Sequence, residues 1–434
     1  MLSRRWSRRL AAALRVLAVP VLAVPVLVGP ALWPAAAAAD TIRDSQQWVL
    51  QMLNVQPAWA ATQGAGVTVA VIDSGVDPDV SDLYGSVTTG PDYTGLHTSR
   101  GNPDWGVHGT WMASLIAGHG QGPGGGDGIT GIAPRARILS IRVIPDRDDP
   151  NYRRYEREQE TLIQQSLADG IDYAVRHGAK VISMSIGYSA PSGTVREALL
   201  KAYQAGVVVV ASAGNSGQQA GSGGGGQAPE SYPADYPGVI SVGAVYEDGA
   251  VADFSSDNLS VKLAAPGYRV PAQGRDGGYW VVSGTSPACA LVAGVAALIK
   301  SRYPDLEPDL VARAMTSTTT DRPADRYDSQ VGFGVVNAGA ALTEAGRLWH
   351  DRDKQTSTGV AAVVKFGGGP GAVPAAPVSP RGDGQLVLYA LLALVSLILI
   401  VAGAARLRAL CPPLGRVVGP PLGPTYGDFH DPAG

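Results

Sequence analysis

The sequence predicts an α/β chain: a doubly wound, mostly parallel sheet with one C-terminal transmembrane helix. Three observations carry this. Residues 67–72, 138–144, 181–186, 207–211 and 239–242 are short, β-rich and nearly all apolar, the pattern of strands covered on both faces. Helical patterns alternate with them, at 160–177 closed by Gly178 and at 194–205 closed by Gly206, as crossover connections require. Residues 386–405 are apolar and carry no charge, matching the ~20 residues that a bilayer-spanning helix needs.

Taken in order, Arg4, Arg5, Arg8, Arg9 and Arg15 precede or open an apolar run, and small residues end it before Asp40. A basic start, an apolar middle and a small-residue cut site define a secretory signal over 1–39. Pro20, Pro25 and Pro30 interrupt that run and argue against a retained membrane helix. A short extension over 40–60 leads into a doubly wound domain at 57–345. Residues 152–160 are charge-dense and are expected to form an exposed insertion. The glycine runs at 122–128 and 221–226 lack dinucleotide-fingerprint spacing after a strand, so no nucleotide cofactor is expected. A Gly/Pro-rich linker at 351–385 reaches the transmembrane segment. Arg406, Arg408 and Arg416 follow that segment, which places the tail at 406–434 in the cytoplasm and residues 40–385 outside.

The chain of 434 residues is 45% hydrophobic and 16% charged, with a net charge of -3. That balance gives no electrostatic case for nucleic acid. The two cysteines, Cys289 and Cys411, fall on opposite sides of the expected membrane, so neither a disulfide framework nor a cysteine metal site is expected.

Four stretches carry chemistry. Asp73 ends the first strand, a poor position for packing and a good one for orienting a partner. His108 opens a helical pattern, and Asn215 follows a buried strand. In Ser283-Gly284-Thr285-Ser286-Pro287 a tight turn opens a buried helix, with Ser286 expected at the cap and Pro287 at the first helical position. Taken singly these are a strand-end acid, a structural histidine, a turn asparagine and a cap serine. Together, Asp73, His108 and Ser286 form the set that nucleophilic acyl transfer needs. A hydroxyl is a poor nucleophile until a base takes its proton. A histidine with an ordinary pKa of roughly 6.5 can be that base, and an acid can fix its tautomer. Asn215 can supply an amide donor to the oxyanion.

In this order, the Asp-Ser-Gly, His-Gly-Thr, Ala-Gly-Asn and Gly-Thr-Ser stretches resemble the subtilisin-like serine proteases, whose acid, histidine and serine follow the same chain order. The resemblance covers about 57–345. It implies the subtilisin-like fold, Asp73, His108 and Ser286 as the triad, and Asn215 at the oxyanion. It also implies that Ser185, Ile186 and Gly187 pair with the substrate as an added strand, while Ser212, Ala213 and Gly214 line the first pocket. The whole plan is similar to the mycosins, the membrane-anchored subtilisin-like proteases of type VII secretion. The extension is too short to fold as the separate inhibitory pro-domain of secreted subtilisins. It is expected to wrap the catalytic domain, anchored by Trp48, Leu50, Leu53 and Trp59, with no pro-domain-dependent activation step.

Several residues depart from the family pattern. Trp111 and Met112 follow His-Gly-Thr, where small or β-branched residues are usual. Tyr188 stands where a second glycine is common and is expected to narrow the cleft. Pro287 and Cys289 follow the serine, and Cys289 is expected to be a small buried packing residue. Mycosins commonly carry disulfides, for which this chain has no cysteine pair outside the membrane. The acid clusters Asp77, Asp79, Asp82 and Asp146, Asp148, Asp149 lack calcium-loop spacing and are expected to be solvated, with no metal and no cofactor. A lipase or esterase is disfavoured because the Gly-x-Ser-x-Gly elbow is absent. The sequence thus points to a membrane-tethered, extracytoplasmic serine endopeptidase that acts on protein or peptide and is associated with a type VII secretion complex. A protease fold kept as a structural part of such a complex and a general cell-surface protease are the alternatives.

Overall fold

The structure, a computed structural model, describes residues 37–217 and 228–357. The signal segment before residue 37, most of the linker, the transmembrane segment, the tail and the 221–226 glycine run lie outside the described residues. Among the described residues no helix is long and apolar enough to cross a membrane.

Seven parallel strands form the central sheet. In chain order the elements begin with helices α1 (Ala37–Met52) and α2 (Val55–Ala61), then strands β1 (Thr68–Asp73) and β2 (Val87–Asp92) and helix α3 (Val107–Ala117). A small antiparallel pair, β3 (His119–Gln121) and β4 (Asp127–Thr130), precedes β5 (Arg137–Arg142), α4 (Tyr152–Arg176), β6 (Val181–Met184), α5 (Gly193–Gln204) and β7 (Val208–Ser212). Next come β8 (Ile240–Val245), β9 (Val261–Pro266), the hairpin β10 (Val270–Gln273) and β11 (Tyr279–Val282), and helices α6 (Thr285–Arg302), α7 (Pro308–Thr316) and α8 (Ala338–Ser357). The sheet order is β2-β5-β1-β6-β7-β8-β9.

The pleat explains the apolar runs. Val69 and Val71 of β1 face one core with α3, α6 and α8, while Ala70 and Ile72 face the other with α4 and α5. Val208 and Val210 alternate with Val209 and Ala211 in the same way in β7. Successive side chains on a strand point to opposite faces, so strands of a sheet covered on both sides are nearly all apolar. Helix α6 is buried at all but one position from Thr285 to Lys300, so its pattern is apolar all round.

The extension packs as α1 and α2. Leu50 and Leu53 are buried, and Trp48 and Trp59 lie against the same core. The Trp59 indole donates to the Ile132 carbonyl at 2.8 Å. Gln46 donates to the Thr130 carbonyl at 2.8 Å and accepts from its amide at 3.0 Å, so its side chain mimics a strand partner for β4. Arg43 donates to the carbonyls of Gly125, Asp127 and Gly128.

The structure corrects three expectations. Residues 152–160 are the first turns of α4, not an insertion: Tyr155 is buried in the second core while Arg153 is exposed. A helix can be charged on one side and apolar on the other, and the sequence stretch shows only its density of charge. The linker begins later than 351, since α8 runs to Ser357. The acid clusters are not uniformly solvated, because Asp82, Asp146 and Asp149 are buried. The Asp149 carboxylate accepts from Arg142 at 2.7 Å, and Asp92 accepts from the same guanidinium at 2.7 Å. Asp82 accepts from the Ile129 amide at 2.7 Å. Each buried charge has partners, as burial demands. Among the described residues no group of three His, Cys, Asp or Glu side chains is arranged to hold a metal ion.

Candidate active site

The site gathers at the carboxyl ends of β1, β6 and β7, the edge where open α/β sheets bind ligands. Asp73, the last residue of β1, is 1% exposed. Its Oδ1 accepts from the Ser74 amide at 2.7 Å and lies 2.8 Å from His108 Nδ1. A carboxylate accepts, which puts the imidazole proton on Nδ1 and leaves Nε2 as the accepting nitrogen.

His108 is the second residue of α3, and two features fix the start of that helix. Gly109 is needed because a Cβ there would run into the Gly75 carbonyl, where the helix meets the Asp-Ser-Gly turn. The cap residue Gly106 offers no side chain, and Asp146 substitutes for it from the loop after β5. Asp146 Oδ2 accepts from the Val107 amide at 3.0 Å and Oδ1 from the His108 amide at 2.9 Å, satisfying two of the free donors of a helix N-terminus. Burial alone would lower the His108 pKa. The charge of Asp73, the hydrogen bond to it and the charge of Asp146 outweigh burial, so the imidazole sits above its ordinary value.

Ser286 is not the cap residue. Helix α6 starts at Thr285, with Gly284 as its cap at φ 146°, a left-handed value that favours glycine. Ser286 is therefore the second helical residue and Pro287 the third, still within the turn whose amides have no intrahelical acceptor. Proline costs no hydrogen bond there. Cys289, one turn on, is buried, and burial raises its thiol to about 12, so it behaves as an inert packing residue.

Asn215 is oriented by Thr285, whose amide and hydroxyl both donate to Asn215 Oδ1, at 2.9 and 3.0 Å. With its oxygen so engaged, the amide NH₂ is the end left to donate, and it faces Gly284, just before the serine. Ser286 lies at the junction of two cavities. A cavity of about 520 Å³ is lined by Asn215, Ser185, Gly187, Ser212 and Gly214 together with Ser286. A smaller one of about 240 Å³ is lined by His108, Trp111, Trp280 and Ser286.

Ala213, expected with Ser212 and Gly214 to line the first pocket, is not among its lining residues. Ile186 is buried in the second core and Ala213 is fully buried, whereas Ser185, Gly187, Ser212 and Gly214 reach the cavity. An extended backbone sends alternate side chains to opposite sides, so Ile186 and Ala213 turn inward while Ser185 and Ser212 present hydroxyls and Gly187 and Gly214 present backbone to the cavity. Tyr188 lines the large cavity as expected and exchanges backbone hydrogen bonds with Tyr232 at 2.8 and 2.9 Å. Sequence reasoning did not foresee Asp146, Thr285 or Trp280. Thr285 stood inside a recognised motif, but Asp146 binds only backbone amides, which leaves no side-chain pattern to find.

The subtilase family matches residues 64–334, more than half of the chain. The chain belongs to that family. This subtilase is 34% identical over 283 residues to subtilisin DY of Bacillus licheniformis, covering 64% of this chain and 92% of that protein. It spans only 43% of the minor extracellular protease Epr of Bacillus subtilis, at 31% identity. The crystal structure of MycP1 from Mycobacterium smegmatis is similar at 32% identity with a TM-score of 0.55, covering 68% of this chain and 84% of that one. MycP3 protease from the type VII (ESX-3) secretion system matches at 31% identity with a TM-score of 0.56, covering 68% of this chain and 87% of that one. The subtilase is thus a subtilisin-like serine endopeptidase of mycosin type.

Proposed function

We propose that this subtilase is a membrane-anchored, extracytoplasmic endopeptidase that cuts peptide bonds with Ser286 as nucleophile, His108 as base and Asp73 as the residue that orients His108. The observation that carries this reading is the Asp73–His108 contact at 2.8 Å, on an imidazole that shares a cavity with Ser286. Ser286 attacks the carbonyl carbon as Nε2 of His108 takes its proton. Asp73 steadies the imidazolium, and the Asn215 amide donates to the oxyanion. Collapse of the tetrahedral intermediate breaks the C–N bond, with His108 returning the proton to the departing amine. Water then attacks the acyl carbon as it gives a proton to His108, and collapse breaks the bond to Ser286 Oγ, which takes that proton back as the carboxylic acid leaves.

Substrate backbone pairs beside residues 185–187 as an added strand, with the side chain before the cut in the larger cavity. The signal segment at 1–39, the apolar segment at 386–405 and the arginines after it support an exported domain on a membrane anchor. The likeness to MycP1 and MycP3 supports work beside a type VII secretion complex. The test is hydrolysis of a quenched peptide set by the full-length protein and its Ser286→Ala variant. The expected result is hydrolysis by the former and none by the latter, with thermal unfolding unchanged; equal hydrolysis would refute the assignment. Comparing secretion by a strain carrying Ser286→Ala with one lacking the protein separates proteolysis from a purely structural part.

A further inference from the structure

We infer that Trp111 and Trp280 form the subsite for the side chain just after the scissile bond, and that they make this enzyme favour a bulky apolar residue there. The inference rests on the endopeptidase reading and adds the substrate class on the leaving side. His108 must hand its proton to the departing amine, so the chain beyond the cut leaves over the imidazole. The cavity on that side is the smaller of the two that meet at Ser286, about 240 Å³.

Its walls are Trp111, Met112, Trp280, Val281, Val282 and Pro287, beside His108 and two serines. Among the described residues no charged side chain other than the imidazole lines it, whereas the larger cavity carries Arg147 and Glu230. The Trp111 ring stands edge-on to His108 with centroids 6.2 Å apart, and Trp280 leans on Trp111 at 5.9 Å. Trp280 is 54% and Val281 58% exposed. That is apolar surface bordering the reacting groups, which an incoming side chain would cover with gain.

The aromatic wall is supported from behind. A Cβ at Gly274 would fall 2.8 Å from Trp111 Nε1 and collide with the Trp280 ring. Gly274 itself has φ -94° and ψ 176°, a conformation open to any residue, so space alone excludes a side chain. Gly274→Ala therefore displaces Trp280 without straining the backbone, and it tests the wall independently of removing an indole.

The experiment digests a randomised peptide library with the full-length protein and reads the residue after each cut by mass spectrometry. The wild type should place Phe, Leu, Met, Tyr or Trp after the cut about tenfold more often than Gly, Asp or Lys. Both Trp280→Ala and Gly274→Ala should bring that ratio below about threefold. A wild-type ratio near one, or an unchanged ratio in both variants, overturns the subsite while leaving the endopeptidase reading in place. A library left uncut by wild type overturns both.

Discussion

Asp146 has a part that no motif announced. It caps the helix that carries His108 with both carboxylate oxygens and adds a second negative charge to the field on the imidazole. The charged groups acting on His108 are Asp73 from β1 and Asp146 from the loop after β5; α6 and β11 bring the uncharged Ser286 and Trp280 to its cavity. His108 must be neutral to accept a proton, so kcat/KM falls as pH drops through its raised pKa. Removing a negative charge destabilises the imidazolium and lowers that pKa. Asp146→Asn should therefore move the acid limb of the kcat/KM profile to lower pH, while Asp146→Glu should keep it near the wild-type position. A limb that does not move in Asp146→Asn would reduce Asp146 to a helix cap. The Asp73–His108 contact and the cavities that Ser286 shares with His108 and with Asn215 arise from short stretches that each carry their own backbone requirement. Ala213 was expected in the pocket with its neighbours and is buried instead, because a motif names consecutive residues while a pleated backbone presents only alternate ones.

The elements divide into those whose pattern is complete in the sequence and those completed by a partner. Strands β1, β5, β6, β7 and β8 belong to the first kind, being nearly all apolar and buried; β2 and β9 were not foreseen, and β2 is a half-exposed edge strand with Thr88, Thr89 and Asp92 in it. The start of α4 belongs to the second: Tyr155 is buried against the second core, yet its charged neighbours hide that in the sequence. The extension shows both. Its apolar anchors were legible, but Gln46 acts through hydrogen bonds to Thr130 in both directions, which only the β3–β4 pair makes sensible. Leu53 is fully buried in the first core, with α3 and α6, which makes the extension part of the folded domain. Leu53→Ala should lower unfolding stability by about 2–5 kcal/mol in denaturant titration. A loss well under 1 kcal/mol would mean that the extension is only loosely attached.

For the whole molecule, the sheet order places β1 between β5 and β6, so connections leave it in both directions. The carboxyl ends of β1, β6 and β7 then open onto one crevice. Helix α6 enters it from the other end of the chain and brings Ser286 beside residues about two hundred positions earlier in sequence. That convergence follows from topology, which is why order of motifs was legible and their spacing in three dimensions was not. Truncation after residue 385 should release active enzyme into the medium, while the full chain stays with membranes through an alkaline carbonate wash. Retention of the truncated protein on membranes would show that residues 386–405 are not the anchor.

The most direct test of the convergence of Asp73, His108 and Ser286 is the site of covalent labelling by a serine-directed peptidyl phosphonate, mapped by mass spectrometry on the full-length protein. A single adduct on Ser286, lost in His108→Ala although the hydroxyl is still present, is the result expected. Equal labelling of Ser286 in His108→Ala, or an adduct on another serine, would contradict the assignment.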